Sequence, residues 1–212
     1  MSVLVKNAKI VDGTGSPAFF GGVFVDGDRI RAVYKGEVPD LAADTIIDGK
    51  GFVLAPGFID THSHSDLKVL SEPGLLPKLH QGITTEVLGQ DGISMSPLPA
   101  EFIGPWKKNL AGLDGTDEKL DWSFGTTENY LKLIENARPA LNESYLLPHG
   151  NVRMEAMGLE NRPATREDIE KMCAIVEREM KAGCLGLSSG LIYMPCAYGA
   201  TEELIEMGRV VK

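Results

Sequence analysis

The most constraining segment of this chain is residues 53–66, an apolar run that ends in the pair His62 and His64. Because side chains alternate faces along a strand, a strand through this segment directs both imidazoles the same way. Two imidazoles that converge from one rigid strand end form half of a metal site. Asp60 and Asp66 share the parity of the pair and favour this interpretation over two histidines in a solvated turn. The segment therefore predicts a metal-binding strand end.

The composition excludes several classes of protein. The chain has 212 residues, 43% hydrophobic and 24% charged, which is typical of a globular protein. Its net charge of −9 argues against nucleic acid or an anionic membrane as the main partner. No apolar stretch approaches the length of a membrane span, and the first residues lack a signal-peptide pattern. Three cysteines without a C-x-x-C pair argue against a disulfide framework. We predict a cytoplasmic protein, and the sequence does not decide between a monomer and a homo-oligomer.

Residues 1–55 predict strands and turns only. Short apolar runs in this region are separated by Asp12-Gly13, Asp26-Gly27 and Asp48-Gly49. Asp-Gly between alternating apolar segments is a strong hairpin signal. A block of this size is too small to form a secure core alone. We therefore predict that residues 1–55 are one part of a small β domain.

From residue 56 onward, strands alternate with helices, which is the pattern of parallel βαβ units. The clearest helix follows Thr165, a good N-cap, and stops at Gly183. A second helix is predicted over 127–137. Residues 97–123 are predicted to form a long irregular loop. The predicted strands lie near residues 57–62, 83–89, 144–149 and 184–189.

Three motifs resemble those of a known family and occur in its order along nearly the whole chain. Residues 56–64, Pro-Gly-Phe-Ile-Asp-Thr-His-Ser-His, resemble the first-strand signature of the amidohydrolase superfamily. Within that superfamily, two further segments resemble the N-acyl-D-amino-acid deacylase (D-aminoacylase) branch. These segments are 82–94 followed by Pro97-Leu98, and 183–193 followed by Pro195.

The resemblance implies an α/β fold of two parts. Residues 1–55 would be the N-terminal part of a β-sandwich domain, and residues 56–212 the first roughly four βα units of a metal-dependent (β/α)8 TIM barrel. A complete barrel takes roughly 250 residues. The last segment begins at Thr201 with a good N-cap and reaches Lys212 without a stop signal. We therefore expect this chain to be the N-terminal half of a longer protein, and to be inactive by itself.

Asp91 is our third candidate metal ligand, beside His62 and His64, because it follows the second predicted strand. The deacylase branch has cysteine at this place in a Gly-Asn-Cys-Gly context, whereas this chain reads Gly89-Gln90-Asp91-Gly92. Carboxylate is a harder ligand than thiolate. We expect one or two divalent ions, zinc first, with manganese or iron tolerated. The alternative for Asp91 is a turn cap before Gly92.

His149 and Tyr193 are candidate substrate-binding residues. His149 lies at a predicted strand end, and the resemblance implies a substrate contact for Tyr193 in the loop after the fourth strand. The alternatives are a histidine satisfied by backbone groups and a tyrosine that covers apolar surface. The catalytic base is unknown: the resemblance implies further histidine ligands and an aspartate base beyond Lys212.

These features predict a hydrolase of linear amides. A bound divalent metal activates water and polarises an amide carbonyl at neutral pH. With the resemblance, this predicts deacylation of N-acyl-D-amino acids, which are small-molecule substrates, at a non-peptide C–N bond. The alternatives are a cyclic-amide hydrolase of the dihydroorotase or hydantoinase kind, and a non-catalytic assembly protein on the same scaffold.

Overall fold

A computed structural model describes residues 1–212, which divide into two compact units, Met1–Gly57 and Phe58–Lys212. The first unit contains strands and no helix. Its strands are β1 (Ser2–Ile10), β2 (Phe19–Asp26), β3 (Arg29–Lys35), β4 (Thr45–Asp48) and β5 (Val53–Leu54). The sheet has the order β3-β2-β1-β4, and β5 also pairs with β1. The neighbours β1, β2 and β3 are antiparallel, whereas β4 and β5 run parallel to β1.

The hairpin predicted at Asp26-Gly27 is present. Asp26 pairs with Arg29 across the turn, and Gly27 has a φ of 62°, which glycine adopts without a steric penalty. The sheet covers its apolar residues incompletely, because Ile30 is 67% exposed and Ile46 is 50% exposed.

The second unit is built on a four-stranded parallel sheet. Its strands are β6 (Phe58–Asp60), β7 (Ile83–Leu88), β8 (Asn142–Pro148) and β9 (Gly186–Ser188). Their order in the sheet, β6-β7-β8-β9, follows the chain, and the outer strands β6 and β9 each have one neighbour, so the sheet is open at both edges.

Seven helices connect or follow these strands, and none has the length and apolar composition needed to cross a bilayer. They cover one face of the sheet, where Leu88, Tyr145 and Leu147 are fully buried. On the other face, Ile59 is 62% exposed. The helices are α1 (Lys68–Ser71), α2 (Leu76–Leu79), α3 (Ile103–Leu110), α4 (Thr127–Ala137), α5 (His149–Met157), α6 (Arg166–Ala182) and α7 (Thr201–Val211).

The two helices predicted from capping signals are confirmed. Helix α4 has the predicted bounds, and α6 begins directly after Thr165. The Thr165 hydroxyl accepts a hydrogen bond from the Asp168 backbone N–H, and the Asp168 carboxylate accepts one from the Thr165 N–H. Gly183 ends the helix in the left-handed region, with a φ of 119°.

The prediction of an irregular segment over residues 97–123 is wrong in part, because it contains α3. Gly104-Pro105 suggested a loop, but the proline lies in the first helical turn, where its missing N–H has no intrahelical partner to lose. Trp106 anchors the helix: its side chain is buried, and its indole N–H donates to the Ser94 carbonyl at 2.7 Å.

Candidate metal centre

His62 and His64 lie beyond the end of β6, so the prediction that the strand itself carries them is wrong. The strand ends at Asp60, and the chain turns there. The Asp60 carboxylate accepts a hydrogen bond from the His62 N–H at 3.3 Å and one from Lys78 at 2.5 Å. The two imidazoles still converge, with ring centroids 5.4 Å apart. Their approach follows from this connection rather than from strand alternation.

Asp91 meets both histidines. Its Oδ1 lies 3.6 Å from His62 Nε2, and its Oδ2 lies 3.3 Å from His64 Nε2. Two ligands of one tetrahedral ion, each about 2.1 Å from it, are roughly 3.4 Å apart. The side chains of His64 and Asp91 are 23% and 27% exposed, and that of His62 is 59% exposed. The three donors therefore have the spacing of metal ligands at the carboxyl end of the sheet.

Asp91 lies in a short 3₁₀ turn, Gln90–Gly92, that follows β7. Its φ is 58°, a left-handed conformation that aspartate tolerates better than most residues. The Gln90 side chain holds the turn in place by donating to the carbonyls of Thr61 at 2.9 Å and Val87 at 2.8 Å. The Asp91 carboxylate accepts no backbone hydrogen bond and faces the imidazoles, so the structure favours a ligand over a turn cap.

Two buried aspartates, Asp66 and Asp114, lie behind His64, and no sequence motif marks Asp114 as part of a site. Asp66 Oδ1 accepts hydrogen bonds from the Gly89 N–H at 2.9 Å and from the Ser94 hydroxyl. Asp66 Oδ2 and both oxygens of Asp114 have no hydrogen-bond partner. Asp114 Oδ1 is 3.9 Å from His64 Nδ1. Burial, followed by the charge of Asp66, raises the pKa of Asp114 to about 8.

The His149 side chain is not exposed at the carboxyl end of the sheet. It begins α5, its side chain is fully buried, and both ring nitrogens have protein partners. Nε2 lies 2.6 Å from a Glu203 oxygen, and Nδ1 lies 2.9 Å from the Ser189 hydroxyl. Arg153 donates to the other Glu203 oxygen. The structure therefore favours the alternative of a satisfied histidine over a substrate contact, although the partners are side chains rather than backbone groups.

Burial opposes ionisation of Glu203, but the hydrogen bonds from His149 and Arg153 outweigh it and hold the pKa of Glu203 below its usual value. Glu203 is therefore the charged centre of the network, which joins α5, α7 and the end of β9.

Tyr193 lies beside the Asp91 turn. Its N–H donates to the Gly190 carbonyl at 2.9 Å, and its partly buried ring packs on the core. A Cβ on Gly190 would lie 2.9 Å from a ring carbon of Tyr193 and 2.3 Å from the Asp91 carbonyl oxygen. Gly190 thus lets the loop after β9 approach the Asp91 turn backbone to backbone. The structure brings Tyr193 close to the candidate ligands, whereas it keeps His149 buried.

The donor set fits a divalent cation. His62, His64 and Asp91 offer ligand atoms that all lie within 4.8 Å of one another. No lysine or arginine lies within 4.0 Å of the carboxylates of Asp66, Asp91 or Asp114. Three unpartnered carboxylate oxygens lie in the same region. The imidazole and carboxylate donors suit zinc, manganese or iron.

Comparison with known proteins agrees with this geometry. Residues 45–206 match the model of the amidohydrolase family. D-aminoacylase of Alcaligenes xylosoxydans xylosoxydans is 37% identical over 207 residues, which are 98% of this chain and 41% of that protein. The structure of N-acyl-D-glutamate deacylase from Bordetella bronchiseptica, complexed with zinc and a phosphonate inhibitor, superposes with a TM-score of 0.86 at 33% identity. A D-aminoacylase structure described for its binuclear metal centre gives a TM-score of 0.86 at 36% identity.

Each superposition covers 98% of this chain and 42% of the solved chain. This chain therefore spans about two fifths of the length of the relatives that it matches. The superpositions confirm the predicted α/β fold, in which the parallel βα units are part of a (β/α)8 barrel. Because the family model covers most of its residues, the chain belongs to the amidohydrolase family.

Proposed function

We propose that the protein carrying this chain is a metal-dependent hydrolase that deacylates N-acyl-D-amino acids. The observation that carries this proposal is the convergence of His62, His64 and Asp91, with Nε2-to-oxygen distances of 3.3 and 3.6 Å, in a member of the amidohydrolase family. The names of the relatives, D-aminoacylase and N-acyl-D-glutamate deacylase, support this substrate class.

In this proposal His62, His64 and Asp91 bind one or two divalent ions, zinc first. A divalent ion there supplies the Lewis acidity that polarises an amide carbonyl and acidifies water. The two Asp91 oxygens face different histidines, so the carboxylate suits either one ion or a bridge between two. The relatives described with zinc and with a binuclear metal centre support this assignment.

We also propose that Tyr193 contacts the substrate. The loop after β9 approaches Asp91 at Gly190 and brings the Tyr193 ring beside Asp91, at the carboxyl end of the sheet. Its phenol can donate a hydrogen bond to an acyl oxygen or to a carboxylate. The substrate in this proposal is a small N-acyl amino acid.

Metal binding tests the site directly. The purified chain is stripped with chelator and titrated with zinc and manganese by calorimetry. We expect the double variant His62→Ala/His64→Ala to lose binding by at least about tenfold, because it loses two ligands. His80→Ala is the matched control, since His80 is exposed and lies outside the site. Equal binding by the double variant contradicts the proposed site.

Turnover tests the substrate class. The protein as its source cell produces it is assayed with N-acetyl-D- and N-acetyl-L-amino acids, hydantoins and dihydroorotate. We expect chelator-sensitive release of D-amino acids. Turnover of only the cyclic amides would replace the proposal with the cyclic-amide hydrolase. A folded, metal-free protein without turnover would favour the assembly protein. Neither alternative is favoured by the names of the relatives.

A further inference from the structure

One buried hydroxyl forms hydrogen bonds to both ends of the turn that carries Asp91. Ser188 Oγ donates a hydrogen bond to the Gly89 carbonyl at 2.5 Å and accepts one from the Gly92 N–H at 3.1 Å. Ser188 is only 9% exposed. We propose that Ser188 is a positioning residue of the metal centre, which fixes Asp91 relative to His62 and His64. The inference rests on the proposed function, because it assigns Ser188 a task at the proposed metal site.

The turn needs partners from outside itself. Gly89, Asp91 and Gly92 have φ values of 75°, 58° and 74°, so the backbone is left-handed on both sides of Gln90. Within the turn, the Ile93 N–H donates to the Gln90 carbonyl at 3.3 Å. The Gly89 carbonyl and the Gly92 N–H are the other two groups that this 3₁₀ turn brings together, and Ser188 bonds to both of them. A loss of the hydroxyl leaves these two buried groups with only each other across the turn, and the turn can tighten to bring them closer.

The two hydrogen bonds of Ser188, called the clasp below, connect two strands that are not neighbours in the sheet. Asp91 follows β7, whereas Ser188 ends β9, and β8 lies between these strands in the sheet. A hydroxyl both donates and accepts, so a single Ser188 oxygen can satisfy a carbonyl and an N–H together. Alanine can do neither, and threonine can do both. The position of Asp91 therefore depends on a strand that supplies no candidate metal ligand.

The neighbouring serine has a different task and provides the matched control. Ser189 is exposed, and its hydroxyl bonds to His149 rather than to the Asp91 turn. Ser188→Ala and Ser189→Ala each delete one hydroxyl from the same strand end, but only the first releases the turn. A role limited to stabilising the end of β9 would affect both variants alike.

The experiment compares Ser188→Ala, Ser188→Thr and Ser189→Ala by zinc and manganese affinity, with thermal melting of the metal-free chain as a check on folding. We expect Ser188→Ala to weaken binding by about 10–100-fold, the range for residues that orient metal ligands. Ser188→Thr and Ser189→Ala should stay within about threefold of the wild type, because they keep the clasp. Unchanged affinity in Ser188→Ala, or an equal loss in Ser189→Ala, overturns the proposal.

The hydrogen-exchange rate of the Gly92 N–H tests the clasp in the absence of metal. In the metal-free chain, we expect the Gly92 N–H to exchange at least about tenfold faster in Ser188→Ala than in the wild type or Ser189→Ala. Equal exchange rates in Ser188→Ala and the wild type overturn the proposal, even where Ser188→Ala has the lower melting temperature. A wild-type protein that binds no metal in the form its source cell produces contradicts the proposed function, and therefore the task assigned to Ser188. Accelerated exchange would then identify Ser188 as a structural residue only.

Discussion

Asp91 presents two hard oxygen atoms to the histidine pair, at the position where the resembled deacylase branch carries a cysteine. The carboxylate is partly exposed and free of backbone hydrogen bonds, so its chemistry is available to a bound ion. Ligand hardness is a main determinant of which divalent metal a site prefers. The identity of this single residue should therefore control the metal preference of the centre.

We predict that Asp91→Cys shifts the preference from manganese towards zinc, because a thiolate is the softer ligand. The ratio of zinc to manganese affinity should rise by about tenfold or more. Asp91→Asn, which keeps the size and removes the charge, should weaken both metals and serves as the control. Competition titrations with a chromophoric chelator measure the ratio. An unchanged ratio would exclude Asp91 from the ligand set.

Asp114 is placed to orient His64. A metal-ligating histidine usually donates its other ring N–H to a carboxylate, and the Asp114 carboxylate lies 3.9 Å from His64 Nδ1. We predict that Asp114→Asn lowers metal affinity by about 10–100-fold. It should leave the melting temperature unchanged or higher, since the variant removes a buried carboxylate without a partner. Asp117→Asn, in the same loop, is the control. A parallel loss of affinity and stability would instead indicate a folding defect.

At the scale of helices and strands, the buried network of His149, Arg153 and Glu203 joins α5 to α7. All three side chains are fully buried, and Glu203 is the shared partner of the other two. Removal of Glu203 leaves the buried Arg153 guanidinium without its counter-charge. The network therefore stabilises the docking of α7 rather than forming part of the substrate surface.

We predict that Glu203→Gln destabilises the chain by about 3–5 kcal/mol, because Arg153 remains buried and loses its ionic partner. For a protein of this size, each kcal/mol lowers the melting temperature by about 2–4 °C. Glu202→Gln, at the exposed neighbouring position, should change it by less than about 2 °C. Calorimetric melting of both variants checks the prediction, and similar curves for the two would contradict it.

The sequence was informative where signals are local. The start of α6 is marked by Thr165 and Asp168, and its end is marked by Gly183, so both signals lie within a few residues of the helix end that they define. The approach of Asp91 to the His62–His64 pair could be predicted, because a motif marks the two histidines and a strand end marks Asp91. Asp114, Ser188 and Glu203 could not, because each acts on a partner far along the chain. Ser188 and Gly89, for example, are 99 residues apart. Their tasks follow only from the packing of distant segments.

At the scale of the second unit, acidic side chains form a row across the sheet. Asp60, Glu86 and Glu143 occupy paired positions on β6, β7 and β8. Lys78 contacts Asp60 at 2.5 Å and Glu86 at 3.5 Å, but both Glu143 oxygens lack a hydrogen-bond partner. Burial, followed by the charges of Glu86 and Asp66, raises the pKa of Glu143 to about 8. The row is therefore a source of pH-dependent stability.

The sign follows from proton binding. In the folded chain Glu143 keeps its proton up to about pH 8, whereas an unfolded glutamate releases it near pH 4.3. Stability from this residue is therefore complete below about pH 4 and is lost as pH rises towards 8. We predict that Glu143→Gln melts higher than the wild type at pH 8.5, and that the difference shrinks at pH 5.

We expect a difference of about 2–4 °C at pH 8.5, which corresponds to roughly 1 kcal/mol. The exposed variant Glu101→Gln should follow the wild type at both values. Melting curves in matched ionic strength provide the measurement. A difference that grows towards acid pH would show that Glu143 is ionised in the folded chain.

The contact between the Asp91 turn and Gly190 separates what can vary in this centre from what cannot. A methyl group on Gly190 would collide with the Asp91 carbonyl, so the two backbones limit each other. The Asp91 side chain points away from that contact, towards the histidines. A single substitution can therefore exchange the ligand and leave the supporting frame intact. The metal preference of the proposed centre can therefore change at position 91, while position 190 accepts no side chain.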